Sequence, residues 1–240
     1  MMKSQKNIAI FLAARSGSKR LPNKHFLKIN SKLKIIDLCI LRLKKTKLVD
    51  KIFLCTTKKK EDNKFVKICK SHKINLFRGS TNNVLKRLID CAKENSIDTI
   101  VRITGDCPLI DPKVIDRCIK LHKKFNFDYT SNALSLSFPD GLDVEVINLK
   151  VLIKSQKLSK SKLNNEHVTF FIRKSKIFNK CNIRNLINYS NRRWTVDYYK
   201  DFLFVKKVSN YFWPDIYFSW KALIKAEKKN TSLININKAN

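Results

Sequence analysis

The chain has 240 residues, 43% of them hydrophobic and 29% charged, with a formal net charge of +32. That length suits one α/β domain with a sizeable core, and that balance excludes an intrinsically disordered chain. The longest apolar run, Ile8 to Ala14, is far too short to span a bilayer as a helix.

The basic charge invites a nucleic-acid partner, but its composition argues otherwise. Forty Lys stand against 11 Arg, beside 23 Asn and abundant Ile. AT-rich codons favour these residues, and the lysines spread along the whole chain instead of gathering in a stripe. The reading is a solvated lysine-rich surface whose field draws in polyanions, with no nucleic acid and no membrane as partner. The apolar run follows Lys3 and Lys6 and has the look of a short leader. It flows straight into Arg15-Ser16-Gly17-Ser18-Lys19-Arg20, however, so a cytoplasmic protein is expected. Seven scattered cysteines without a C-x-x-C pair suit free thiols, not a disulfide framework or a zinc site.

In chain order, 7–13 reads as a buried strand, 35–43 as a helix and 51–56 as a second strand. A helix over 62–71, a strand over 74–77 and an amphipathic helix over 82–94 follow. Next come a strand over 99–104 and a helix over 112–122, with Asp111 as N-cap and Pro112 at its first position. Strand and helix alternate at βα spacing, which predicts a doubly wound, mostly parallel α/β sheet in a single domain over 1–240. Beyond this the pattern loosens, and an irregular second half is read at about 125–195. Strands are expected at 128–131, 143–147 and 193–196, and helices at 165–174, 202–208 and 220–228. The last ten residues are polar and expected to fray.

The chemistry concentrates at strand ends. In an open α/β sheet, ligands bind beyond the carboxyl ends of the strands. The loop Ala13-Ala14-Arg15-Ser16-Gly17-Ser18-Lys19-Arg20-Leu21-Pro22-Asn23-Lys24 follows the first strand. It offers backbone amides and four cations, enough to hold a triphosphate. It matches neither a P-loop nor a dinucleotide fingerprint. Only four glycines occur, Gly17, Gly79, Gly105 and Gly141, and their scarcity suggests positions a side chain cannot occupy. Asp106 ends the strand of Arg102-Ile103-Thr104-Gly105-Asp106, and Asp197 repeats that arrangement in Arg193-Trp194-Thr195-Val196-Asp197. Two carboxylates from distant segments could share a Mg²⁺ with substrate phosphates. Asp143 and Glu145, on one face of an expected strand, and His167 stand as candidates for binding the substrate.

These segments resemble the cytidylyltransferase family that makes CMP-activated acidic sugars, including acylneuraminate and deoxy-octulosonate enzymes. They are most similar to the branch labelled spore-coat polysaccharide biosynthesis proteins. The strings that carry the resemblance are AARSGSKRLPNK at 13–24, FRGSTNNVLKR at 77–87, RITGDCPLID at 102–111, PDGLDVEV at 139–146, EHVT at 166–169 and RRWTVD at 192–197. They occur in family order across nearly the whole chain.

The resemblance implies a Rossmann-like nucleotidyltransferase fold with a nucleotide site at Ala13, Ala14, Arg15, Ser16, Gly17, Ser18, Lys24, Arg78 and Gly105. It implies Mg²⁺ on Asp106 and Asp197, and Arg15, Lys19 and Lys24 neutralising phosphates. The implied reaction is attack by a sugar hydroxyl on the α-phosphorus of CTP, releasing pyrophosphate, in an enzyme that forms a homodimer. Asn23 departs from the family's usual glycine, and asparagine tolerates the positive φ that such a turn needs. Two other readings compete. A nucleotide-sugar-dependent glycosyltransferase would use Asp143-Val144-Glu145 as its metal motif. A nucleic-acid-binding protein would be indifferent to Asp106.

Overall fold

The computed structural model describes residues 7–49 and 51–234. Four strands, β1 (Ile8–Ala13), β2 (Lys51–Thr57), β3 (Asn75–Gly79) and β4 (Thr99–Thr104), lie parallel at the centre of the molecule. They alternate with α1 (Ile35–Leu43), α2 (Lys64–His72), α3 (Val84–Glu94) and α4 (Pro112–Phe125). Side chains alternate across a strand, so β1 feeds two cores. Ile8, Ile10 and Leu12 pack with residues of α1, α2 and α4, whereas Ala9 and Phe11 pack with those of α3. Helices α3 and α4 carry side-chain caps, the second of them the Asp111 cap expected from the sequence. Asn83 Oδ1 accepts from the Lys86 amide at 2.7 Å, and Asp111 Oδ1 from the Lys113 amide at 2.8 Å. Asp111 Oδ2 also accepts from the Trp220 amide at 2.8 Å, so this cap clasps two helices.

Three short strands complete the sheet: β5 (Tyr129–Ser131), β6 (Glu145–Asn148) and β7 (Lys180–Asn182). The order is β3-β2-β1-β4-β6-β5-β7, with β6 antiparallel to both β4 and β5. This is the doubly wound, mostly parallel mixed sheet that the βα spacing predicts. The chain leaves β1 toward β2 and β3, then returns to place β4 on the other side of β1. The loops after β1 and β4 therefore diverge and leave a crevice between them.

The second half departs from expectation in several places. α5 (Leu149–Leu158) and β7 were not foreseen, both being short segments that tertiary contacts stabilise. The expected strand over 143–147 begins only at Glu145, which leaves Asp143 in the lead-in. The expected strand over 193–196 is not one; only Arg193 makes a bridge, to Asp140. That segment instead crosses the carboxyl end of β4, where the Val196 amide donates to Asp106 O at 2.8 Å. Gly141 permits this crossing. Its φ is +106°, and a Cβ there would lie 2.7 Å from Thr195 N and from Trp194 C.

The expected helix over 165–174 splits into α6 (Lys162–His167) and α7 (Phe170–Lys174). Between them Val168 has φ 59° and ψ −56°, and the Thr169 amide donates to His167 O at 2.5 Å. This is a γ-turn of positive φ, a strained conformation for a β-branched residue. Val168 is fully buried, so packing holds the turn in place. The chain closes with α8 (Tyr199–Phe212), longer than expected, α9 (Trp220–Lys229) and the short α10 (Thr231–Ile234). The rest of the polar C-terminal stretch lies outside the described residues.

Candidate active site

A cleft of about 610 Å³ opens beyond the carboxyl ends of β1 and β4. Its floor is the contact between the two strand ends. The Gly105 amide donates to Ala13 O at 2.9 Å, and a Cβ at Gly105 would sit 2.9 Å from Ala14 Cβ. Gly17 differs, since a Cβ there would meet only Glu61 Oε1, at 3.3 Å. The scarcity of glycine thus signals crowding at Gly105 and Gly141 but not at Gly17.

The loop over 13–24 is anchored from beneath by Asp62, a buried residue the sequence offered only as a helix start. Its carboxylate accepts from the Ser16 amide at 2.7 Å and from the Thr57 amide and hydroxyl. Burial pushes the Asp62 carboxyl up, but hydrogen bonds from Thr57 and Ser16 outweigh it and hold the group below its usual range. Ser16 Oγ donates to Glu61 O at 3.1 Å, so this side chain serves the loop's base and does not line the cleft. The Ser18 amide is likewise committed, to Ser16 O at 2.9 Å. Among the described residues the amides of Arg15, Gly17 and Lys19 donate to nothing, and all three residues line the cleft. Asn23 adopts the left-handed conformation that a glycine would supply, with φ 55° and ψ 23°.

Asp106 and Asp197 do converge, and Lys24 joins them. Its Nζ donates to Asp106 Oδ2 at 2.7 Å, Asp197 Oδ1 at 3.0 Å and Val196 O at 2.8 Å. All three protons of this buried ammonium are thereby used, so the structure places Lys24 on the carboxylates and not toward a phosphate. Burial would raise the Asp106 carboxyl, but the Lys24 charge prevails and lowers it. Asp197 collects more cations: Arg20 at 2.8 Å and Arg193 at 3.1 Å. Arg193 also holds Asp140 and the buried Asp201, each at 3.1 Å.

These residues fit a magnesium ion. The donors are hard carboxylate oxygens, and the Lys24 ammonium already stands between them as a cation they jointly hold. Asp106 Oδ1 has a 3.7 Å contact from Cys107 Sγ, and the Thr104 side chain also hydrogen-bonds the carboxylate. Mg²⁺ takes one or two carboxylates together with substrate phosphates.

Arg78 does not line the cleft. It donates to Thr57 O at 3.1 Å and Lys59 O at 2.9 Å, and so shapes the turn that brings Lys59 to the cleft wall. An arginine that does line it, besides Arg15, Arg20 and Arg102, is Arg87 on α3, held by Ser80 O at 2.7 and 2.9 Å. Sequence pattern hid it, because a buried arginine on an amphipathic helix looks like any other polar position. Arg15 reaches across the mouth to Glu166 at 3.7 Å.

Past Arg102 and Thr104 the cleft leads to a smaller cavity of about 140 Å³ that holds Asp143, His167, Thr169 and Arg173. A second, of about 250 Å³, continues beyond Asp143 and Arg173 toward Asp140 and Ser190. Glu145 sits in the wall with its oxygens committed. It pairs with Arg102 and accepts from the hydroxyls of Tyr129 and Thr169, each at 2.6 Å. Burial raises its carboxyl, and Arg102 with the two hydroxyls more than reverses this. Asp143, by contrast, has no hydrogen bond or ion pair among the described residues. Burial, then the nearby Asp140 and Glu145 charges, push it up to about 7. The strained turn at Val168 brings His167 to both cavities.

Comparison with known proteins identifies the family. The family model described as Cytidylyltransferase matches residues 9–230. An uncharacterized protein of Methanocaldococcus jannaschii is 38% identical over 229 residues, 94% of this chain and 92% of its own. The spore coat polysaccharide biosynthesis protein SpsF of Bacillus subtilis is 30% identical over 172 residues, 70% of each chain. Among solved structures, a cytidylyltransferase from Leptospira borgpetersenii superposes with a TM-score of 0.93 at 31% identity, covering 98% of this chain and 100% of its own.

Proposed function

This chain belongs to the cytidylyltransferase family and is a CTP-using nucleotidyltransferase, and from that premise we propose that it transfers CMP to an acidic sugar with the help of Mg²⁺. The observation that carries this reading is the meeting of Asp106 and Asp197 on one cation, beside a loop with free amides and with Lys19 and the loosely paired Arg15 at the cleft.

The hydroxyl oxygen of the acceptor attacks the α-phosphorus of CTP, and the bond from that phosphorus to the pyrophosphate oxygen breaks. Such a transfer rests on positioning and charge neutralisation. Arg15, Lys19 and Arg87 neutralise the β- and γ-phosphates, and the amides of Arg15 and Gly17 receive their oxygens. Ala13, Ala14 and Val84 give the nucleoside an uncharged wall. When bound on Asp106 and Asp197, Mg²⁺ supplies a Lewis acid that draws charge from phosphate oxygens.

The acceptor takes the cavities past Thr104. There the exposed Arg173 guanidinium, which spends one nitrogen on Ala133 O at 2.7 Å, meets an acidic group. Asp143 and His167 bind hydroxyls. A glycosyltransferase metal pair at Asp143 and Glu145 is disfavoured, because Glu145 has already committed its oxygens to Arg102, Tyr129 and Thr169. The same proposal puts the enzyme in the cytoplasm, serving surface polysaccharide or glycan assembly. It forms a homodimer, for which the exposed Leu136, Leu186 and Ile187 offer an apolar surface.

Titration calorimetry with CTP, UTP, GTP, ATP and UDP-sugars, with and without Mg²⁺, tests the reading. Selective CTP binding that strengthens with Mg²⁺ is expected, followed by pyrophosphate release when acidic sugars are screened. Preference for a UDP-sugar overturns it.

A further inference from the structure

Lys24 is a buried cation of the cleft, and its position bears on the order in which ligands enter. Its Nζ lies between Asp106 and Asp197 at 2.7 and 3.0 Å, with the Val196 carbonyl at 2.8 Å closing the third direction. Arg20 and Arg193 add two more positive charges to Asp197. The two carboxylates are therefore matched by cations before any metal arrives. A divalent ion entering this arrangement gains little attraction and must displace a hydrogen-bonded ammonium.

We infer that Lys24 keeps the place between Asp106 and Asp197 closed to divalent metal until nucleotide arrives, so that metal and CTP enter together. This rests on the reading of Asp106 and Asp197 as metal-binding carboxylates. The arriving triphosphate changes the balance twice. Its oxygens offer the ammonium a second polyanionic partner within the same cleft, which Lys24 lines. They also complete an oxygen coordination shell that two carboxylates alone leave short. The flexible four-carbon stem of lysine can turn from Asp106 Oδ2 to a phosphate oxygen without moving the backbone. An arginine could not do this within so small a space. The arrangement withholds metal from an empty cleft and couples its entry to the nucleotide, a reciprocal linkage in which each ligand raises the affinity of the other.

The test is Mn²⁺ binding by electron paramagnetic resonance, on the wild-type protein and on Lys24→Met and Lys24→Gln. Glutamine removes the charge while keeping two N–H donors on a side chain one bond shorter, whereas methionine removes both charge and donors. Wild type should bind Mn²⁺ at least about tenfold more weakly without CTP than with it, and both variants should bind Mn²⁺ alone at least about tenfold more tightly than wild type does. Thermal melting gives a second readout: Mn²⁺ alone should raise the Tm of the variants and not that of wild type. A lysine with only a structural role would not produce that split. Two results overturn the inference while leaving the metal reading intact: wild type binding Mn²⁺ equally with and without CTP, or variants no tighter than wild type. If one variant does not fold, the other decides, because triphosphate oxygens strengthen Mn²⁺ binding whatever Lys24 does and the wild-type comparison alone does not single it out. Absence of Mn²⁺ binding even with CTP present removes the metal reading and this inference with it.

Discussion

The two halves of the sheet solve the problem of charge in opposite ways. In the parallel half, β1 to β4, the side chains offered to nucleotide sit on a loop at the cleft mouth, where Arg15 is half-exposed and its ion pair to Glu166 spans 3.7 Å. Where the antiparallel half joins it, charge is buried: Glu145, Tyr129 and Thr169 form a closed network with Arg102 of β4 in the wall of the smaller cavity. Loose, solvated cations can let a triphosphate come and go at small cost. A buried, fully paired network instead fixes the shape of a cavity, since breaking any member strands the rest. On the proposed reading, the difference gives adaptability to the nucleotide side and rigidity to the acceptor side.

The comparison is most sharply tested where the halves meet. Asp106→Ala should lower turnover by about 10³-fold or more, because it removes a group acting on developing charge. Its circular dichroism spectrum should match wild type, since Lys24 retains Asp197 and Val196 O as partners. Full activity in this variant would remove Asp106 from the chemistry. Glu145→Ala tests the rigid half. It leaves the Arg102 guanidinium buried without its carboxylate, and urea denaturation should show a loss of about 3–5 kcal/mol. A loss below about 1 kcal/mol would mean that the acceptor wall does not depend on this pair.

The smallest effect concerns Asp143, a cavity carboxyl outside the network and without an ion pair among the described residues. Its folded-state pKa of about 7 stands above the ordinary 3.8, with burial and then the Asp140 and Glu145 charges as causes, and Arg173 and Arg102 opposing. The fold therefore binds a proton that the unfolded chain has released. Stability from this group is complete below about pH 4 and falls as pH rises to about 7. Asp143→Asn should flatten stability over that window and stabilise the protein at pH 8 by on the order of 2 kcal/mol. A variant that keeps the wild-type slope between pH 4 and 7 would show that Asp143 titrates normally.

Much of the first half could be read directly. Every strand and helix expected between residues 7 and 122 is present within a few residues, because hydrophobic period, caps and glycine loops are local signals. The convergence of Asp106 and Asp197 was also anticipated, from two carboxylates placed at expected strand ends, although the second strand proved to be a crossing segment. Helix α5, strand β7 and the turn at Val168 were not legible. β7 and the turn at Val168 are too short to carry a period and form through packing, β7 by pairing with β5, whereas the ten residues of α5 are held by α3 and β6. Asn23 shows the reverse case, where one residue's tolerance of positive φ announced its turn.

Side-chain assignments divide along the same line. Residue type announced that cations and carboxylates would meet at strand ends, since triphosphate chemistry needs both. Which cation does what was decided in three dimensions. Lys24 leaves the phosphates for Asp106 and Asp197, Arg78 braces a turn, Arg87 takes a place in the cleft wall, and Ser16 turns its hydroxyl away from the cleft. A sequence specifies the donors and acceptors along a chain. Only packing fixes which of them come within 3 Å of one another, because hydrogen bonds and ion pairs act over distances that chain separation does not encode.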